Sequence, residues 1–305
     1  MAVISTQNLT RRFGSVVALD SLSVDVDAGV TGLIGANGAG KSTVIKVLLG
    51  LLEPTSGTAS VLGFDVATQG SELRALVGYM PEHDCLPPDV TATELVVHMA
   101  RMSGLPPAAA RERASDTLRH VGLEEERYRP IGQYSTGMRQ RVKLAQALVH
   151  DPRLVLLDEP TNGLDPAGRD EMLALVRRIG AEFGISVLVT SHLLGELERI
   201  CDSVVVIEGG RLTRHATTAE ATAVSGSLLV ELDADPAPVL GALEAAGIAT
   251  RATKAWSFEV PVGTAATRAV VRDAIAAAGL GLVRLEPQRH SMTDFFTTPE
   301  VDDVG

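Results

Sequence analysis

Gly35-Ala36-Asn37-Gly38-Ala39-Gly40-Lys41-Ser42 fits the pattern G-x-x-x-x-G-K-[ST] of a phosphate-binding loop. Its surroundings fit too. Val30 to Ile34 reads as a short buried strand, and Thr43 to Leu49 as an apolar-faced helix. Glycines 35, 38 and 40 let the backbone curl so that its N–H groups point into one concavity. The following helix adds the positive end of its dipole. Lys41 is then placed to reach the β and γ phosphates of a nucleotide, and the Ser42 hydroxyl to ligate Mg²⁺. Gly35 to Ser42, with Thr43 beside them, are the expected nucleotide-binding residues.

Two other strands end in chemistry suited to such a site. Leu154-Val155-Leu156-Leu157 is a continuous apolar run ending in Asp158 and Glu159. Runs of this kind are buried on both faces of a parallel sheet. Asp158 is expected to hold Mg²⁺ together with Ser42. Glu159 is expected to polarise the attacking water. Ile185 to Thr190 is a second apolar strand, closed by Ser191-His192. The carboxyl ends of parallel strands converge on the ligand crevice, so His192 can contact the γ-phosphate and the water. The fold class expected is α/β.

Elsewhere the patterns alternate between the two periods. Val3 to Leu9 and Leu19 to Val26 read as strands with Arg11-Arg12-Phe13-Gly14 between them. Thr58 to Val61 and Val77 to Glu82 follow as strands, the latter broken at Pro81. Thr91 to Gly122 is helical, divided at Pro106-Pro107, and begins an insertion that spans about residues 83–150. Another helix follows Tyr134-Ser135-Thr136-Gly137-Met138, and Ala167 to Phe183 is helical. Composition turns small and polar at Thr217 to Gly226, which sets two domains at 1–220 and 221–305. The second reads as a small unit of the β-α-β-β-α-β kind. Its alternation places Trp256, Phe258 and Val260 in one core. It carries no phosphate loop or metal spacing, and a regulatory or dimer-stabilising appendage is the expectation.

Bulk composition narrows the function. The chain has 305 residues, 45% of them hydrophobic and 3% aromatic, with a net charge of −11. A nucleic-acid partner is not expected from so acidic a chain. Cys85 and Cys201 lack metal-ligand spacing. Met1 to Phe13 lacks a signal-peptide core, and no window offers the ~20 apolar residues of a membrane helix. If the protein works at a membrane, another chain spans the bilayer.

Taken together, residues 1–217 resemble the ATP-binding subunit of an ABC transporter. The phosphate loop is Gly35 to Ser42. Gly78-Tyr79-Met80-Pro81-Glu82 is similar to the Q-loop, and Tyr134 to Met138 to the family signature. Leu154 to Glu159 resembles Walker B, Gly163-Leu164-Asp165 the D-loop, and His192 the switch histidine. Phe13 falls where the family places an aromatic that stacks on adenine. The chain departs at Glu82, where Gln is usual, and at Ser-Thr-Gly-Met, where Ser-Gly-Gly-Gln is commonest. Ser135 and Gly137 survive. Both variants, and the tail Ser291-Met292-Thr293-Asp294-Phe295-Phe296, look like those of the branch that exports drugs, antibiotics and lipids or polysaccharides.

The resemblance implies an ATPase using ATP and Mg²⁺, with Lys41, Glu159 and His192 as its catalytic residues. Glu82 would join Ser42 and Asp158 at the metal. Phe13, Glu82, Ser135, Gly137 and Asp165 would complete the nucleotide site. It further implies a homodimer in which the phosphate loop of one copy faces the signature of the other. A separate membrane-spanning permease would hold the chain at the cytoplasmic face of the membrane. An importer subunit or a soluble, non-transport ABC ATPase is the alternative.

Overall fold

The computed structural model describes residues 2–83, 85–192, 194–221, 224–261 and 265–289. In chain order the elements are β1 (Ile4–Phe13), β2 (Val16–Val26), β3 (Val30–Ile34), α1 (Lys41–Leu48), β4 (Ser56–Val61), β5 (Phe64–Asp65), α2 (Gly70–Arg74) and β6 (Val77–Met80). Next come α3 (Ala92–Met102), α4 (Pro107–His120), α5 (Thr136–Leu148), β7 (Leu154–Leu157), α6 (Pro166–Phe183), β8 (Ser186–Ser191), α7 (Leu194–Leu197), β9 (Ser203–Glu208), β10 (Arg211–Thr217) and α8 (Thr218–Ala221). The last are β11 (Val224–Leu232), α9 (Ala237–Ala245), β12 (Arg251–Lys254), β13 (Ser257–Pro261), α10 (Ala265–Ala278) and β14 (Leu282–Arg289). The chain divides into two compact units, Met1–Thr218 and Ala219–Gly305.

The first unit contains two sheets. One is antiparallel, in the order β2-β1-β4-β5. The other has the order β10-β9-β3-β8-β7-β6 and is parallel except at its β10 edge. Every residue of β3, β7 and β8 is buried, as expected of strands flanked on both sides within a parallel sheet. Between the sheets lies a core of aliphatic side chains, including Leu9, Leu19, Ile45, Leu48, Leu154 and Leu188. The helical insertion, α3 to α5, falls between β6 and β7. Its first helix opens on a capping box: the Thr91 hydroxyl accepts from the Glu94 N–H at 3.1 Å, and the Glu94 carboxylate accepts from the Thr91 N–H at 2.8 Å. Pro107 starts α4 because a first-turn residue needs no N–H donor.

Two readings change in this unit. Arg11, Arg12 and Phe13 do not form a connecting turn: β1 runs through Phe13, and Phe13 pairs with Val16 of β2. The helix after the phosphate loop begins at Lys41, two residues earlier than its apolar pattern suggests.

The second unit forms one antiparallel sheet in the order β12-β13-β11-β14. Leu228, Val230, Leu232, Phe258 and Val260 of the sheet pack with Val239 and Leu243 of α9 and with Val271 and Ile275 of α10. Trp256 is not part of this core. It lies in the β12–β13 turn and is 54% exposed. A turn interrupts the two-residue period, so a residue two before Phe258 need not share its face. The tail motif at residues 291–296 lies outside the described residues.

Candidate nucleotide site

The order β3-β8-β7-β6 sets the carboxyl ends of four parallel strands side by side. The phosphate loop follows β3, His192 follows β8, Asp158 and Glu159 follow β7, and Glu82 follows β6. All of these border one cleft of about 430 Å³, whose lining includes Asn37, Gly38, Lys41, Ser42, Thr43, Glu82, Asp158, Glu159 and His192. Sheet topology alone thus gathers residues that lie far apart in the chain.

The loop itself is tightly constrained. Gly40 has φ +107°, and a Cβ there would lie 2.6 Å from the Ala18 carbonyl oxygen. At Gly35 a Cβ would lie 2.6 Å from the Ile207 carbonyl oxygen. Both positions admit only glycine. Gly40 is the N-cap of α1, so the loop passes straight into a helix amino end. Exposed loop N–H groups and that helix end together favour an anion. Ala36 and Gly40 line the cleft, whereas Ala39 is buried beneath it.

The charged groups form a chain through the cleft. The Lys41 ammonium donates to the Gly35 carbonyl at 2.7 Å and lies 3.4 Å from Glu159 Oε1. That carboxylate oxygen is buried and has no hydrogen-bond donor in good geometry. Its partner oxygen, Oε2, sits 2.9 Å from His192 Nδ1, within hydrogen-bond reach. Glu159 has φ +50°, a left-handed conformation unusual for a residue with a Cβ. Such strain is tolerated where the surroundings fix it. Here the Thr190 hydroxyl accepts from the Glu159 N–H at 2.8 Å and donates to Asp158 Oδ1 at 2.8 Å. One buried hydroxyl therefore orients both acids.

Oxygen donors for a hard cation are present: the Ser42 hydroxyl and the Asp158 and Glu82 carboxylates share the cleft. Among the described residues no three His, Cys, Asp or Glu side chains converge as a metal cage. Those oxygen donors fit Mg²⁺, which is held through one or two protein oxygens together with substrate phosphates and water.

Not every expected residue is here. Ser135, Gly137 and Asp165 border a different cavity, which shares no lining residue with the first. Ser135 is the N-cap of α5 and Asp165 the N-cap of α6, so two helix amino ends open onto that second cavity. Phe13 lines neither. It is 46% exposed, with the Arg11 guanidinium 4.7 Å from its ring centre. Sequence reading missed Ala18 and Asn162, which also border the first cleft. Asn162 donates from Nδ2 to Glu82 Oε1 at 3.2 Å. Its place three residues after Glu159 is the one signal that could have found it; Ala18 and Thr190 carry none.

The ABC transporter family model matches residues 19–162. A Nod factor export ATP-binding protein from Burkholderia orbicola is 41% identical over 69% of this chain and 69% of its own length. A daunorubicin/doxorubicin resistance ATP-binding protein from Streptomyces peucetius is 38% identical over 75% of this chain and 69% of its own. Among solved structures, a Clostridium perfringens protein that is part of an ABC transporter complex is 28% identical, with a TM-score of 0.67, over 72% of this chain and 90% of that one. The phosphate loop, the acids after β7 and the histidine after β8 thus belong to an ATP-hydrolysing, ATP-binding subunit of the ABC transporter family.

Proposed function

We propose that this chain powers export of a drug-, antibiotic- or lipid-like compound through a separate membrane-spanning permease, at the cytoplasmic face of the membrane. Export rather than import is supported by the relatives named for Nod factor export and for drug resistance. Among the described residues no helix is long and apolar enough to cross a membrane. The observation that carries the catalytic reading is the run Gly35 carbonyl, Lys41, Glu159, His192 within one cleft.

In this reading the loop N–H groups and Lys41 hold the β and γ phosphates of ATP, with Phe13 against the adenine. Water attacks the γ-phosphorus, the bond to the ADP oxygen breaks, and Glu159 accepts the proton of the water. His192 keeps the Glu159 carboxylate aimed and faces the γ-phosphate. Ser42, Asp158 and Glu82 would hold Mg²⁺, which when bound neutralises phosphate charge. The separate cavity bordered by Ser135, Gly137 and Asp165 supports a two-copy site, in which these residues serve the partner's ATP. The C-terminal unit has a hydrophobic core of its own, as a separately folded regulatory or dimer-stabilising appendage would.

Lys41→Ala tests the site as a whole. It removes the cation at the phosphates, and both ATP affinity and phosphate release should fall to background. Normal turnover in the purified variant would overturn the assignment.

A further inference from the structure

Helix α5 does more than carry the signature at its amino end. One and two turns further on, two of its polar side chains are buried, Gln140 at 6% and Lys143 at 3% exposure. Lys143 Nζ donates to the Glu82 backbone oxygen at 2.9 Å. Gln140 Nε2 donates to the Asn162 backbone oxygen at 3.1 Å. Asn162 in turn donates from its side chain to Glu82 Oε1 at 3.2 Å. The Glu82 turn is therefore gripped from both sides by one helix: at its backbone by Lys143, and at its carboxylate through Gln140 and Asn162.

Burying these groups is costly for the fold. A lysine ammonium loses its hydration, and Gln140 Oε1 is buried with no hydrogen-bond partner. An apolar residue at position 140 would remove that orphan oxygen but would also take the donor away from the Asn162 carbonyl. Buried polar groups held by such specific bonds fix the geometry of what they touch.

We infer that Gln140 and Lys143 are positioning residues: α5 uses them to hold the Glu82 carboxylate in the nucleotide cleft of the chain that carries them. Since Ser135 caps the same helix and faces the second cavity, one rigid element joins the two cavities. A shift of α5 when a second copy docks would then be felt at Glu82. This inference rests on the proposed placing of Glu82 in the ATP site.

The test is a double-mutant cycle on the full-length chain, using Lys143→Met, Glu82→Ala and the pair, with kcat and the Kd of a fluorescent ATP analogue as readouts. Lys143→Met should lower kcat about tenfold with Kd within about twofold of the parent, and should add nothing once the Glu82 carboxylate is gone. A structural residue would instead lower kcat by the same factor in both backgrounds, and that additivity would overturn the inference. Unchanged kcat in Lys143→Met would do so as well. Normal kcat in Glu82→Ala would overturn the site reading and the tether together; loss in Glu82→Ala without coupling would overturn the tether alone. Gln140→Leu gives the independent arm, which serves if Lys143→Met does not fold. It should lower kcat, and the loss should vanish in the Glu82→Ala background. A lower melting temperature with unchanged kcat would mark Gln140 as merely structural.

Discussion

Glu159→Gln changes one oxygen for an NH₂ group and keeps the side-chain shape. Its effect on ATP binding follows from the charges that face one another in the cleft. Glu159 Oε1 lies 3.4 Å from the Lys41 ammonium, and both side chains are 7% exposed. At an effective dielectric constant near 20, that separation corresponds to roughly 5 kcal/mol of gross attraction. Desolvation of both charges offsets much of it. Lys41 is not stranded by the change, since the Gly35 carbonyl still accepts from it at 2.7 Å. ATP must draw Lys41 away from Glu159 and must also place its own negative charge near that carboxylate. Both penalties vanish in the amide. A net gain of about 1–2 kcal/mol is expected, or on the order of five- to thirtyfold tighter ATP binding. Turnover should fall by about a hundredfold or more, because the proton acceptor is gone. Equilibrium titration with a fluorescent ATP analogue, in EDTA to suppress hydrolysis, measures the first effect; phosphate release measures the second. Binding that is unchanged or weaker would refute the competition between Glu159 and phosphate for Lys41. Turnover within tenfold of the parent would refute the role of Glu159 as proton acceptor.

Two other outcomes are expected. Burial, reinforced by the neighbouring Asp202 charge and only partly opposed by Arg177, pushes the Cys201 thiol well above the usual range, whereas Cys85 is exposed. At pH 8 a disulfide reagent should therefore modify Cys85 in the native chain and Cys201 only after unfolding; equal native rates would contradict the described burial. A chain cut at Ser225 should fold and bind ATP, because the two units have separate cores, but should lose dimer stability or permease-coupled turnover. Loss of ATP affinity in the folded fragment would show that the C-terminal unit completes the site.

The parts of the fold legible in the sequence were those fixed by local chemistry. The Gly-Lys-Ser loop and the apolar run of β7 each announce themselves within a few residues. What stayed hidden depends on register and on turns. Trp256 looked like a core residue because it alternates with Phe258, but the β12–β13 turn breaks the period at that point. Strand β12, Arg251–Lys254, has almost no apolar residue to reveal it. Thr190 reads as ordinary strand, and its grip on Asp158 and Glu159 exists only because β7 and β8 are neighbours. Lys143 and Gln140 look like two polar positions on a helix, and only the packing of α5 beneath the Glu82 turn gives them partners.

The central claim is that one copy supplies the phosphate loop and the other the signature. Mixing two inactive variants tests it directly. Lys41→Ala cannot hold the phosphates. Ser135→Arg should bind ATP as a single chain yet fail to close. A mixed dimer contains one site with both Lys41 and Ser135 intact and one with neither. Combined in equal amounts, the two variants should regain ATP hydrolysis, up to about a quarter of the parent rate if copies exchange at random in a symmetric dimer. A mixture no more active than the sum of its parts, with both proteins folded and Ser135→Arg binding ATP, would contradict the shared site.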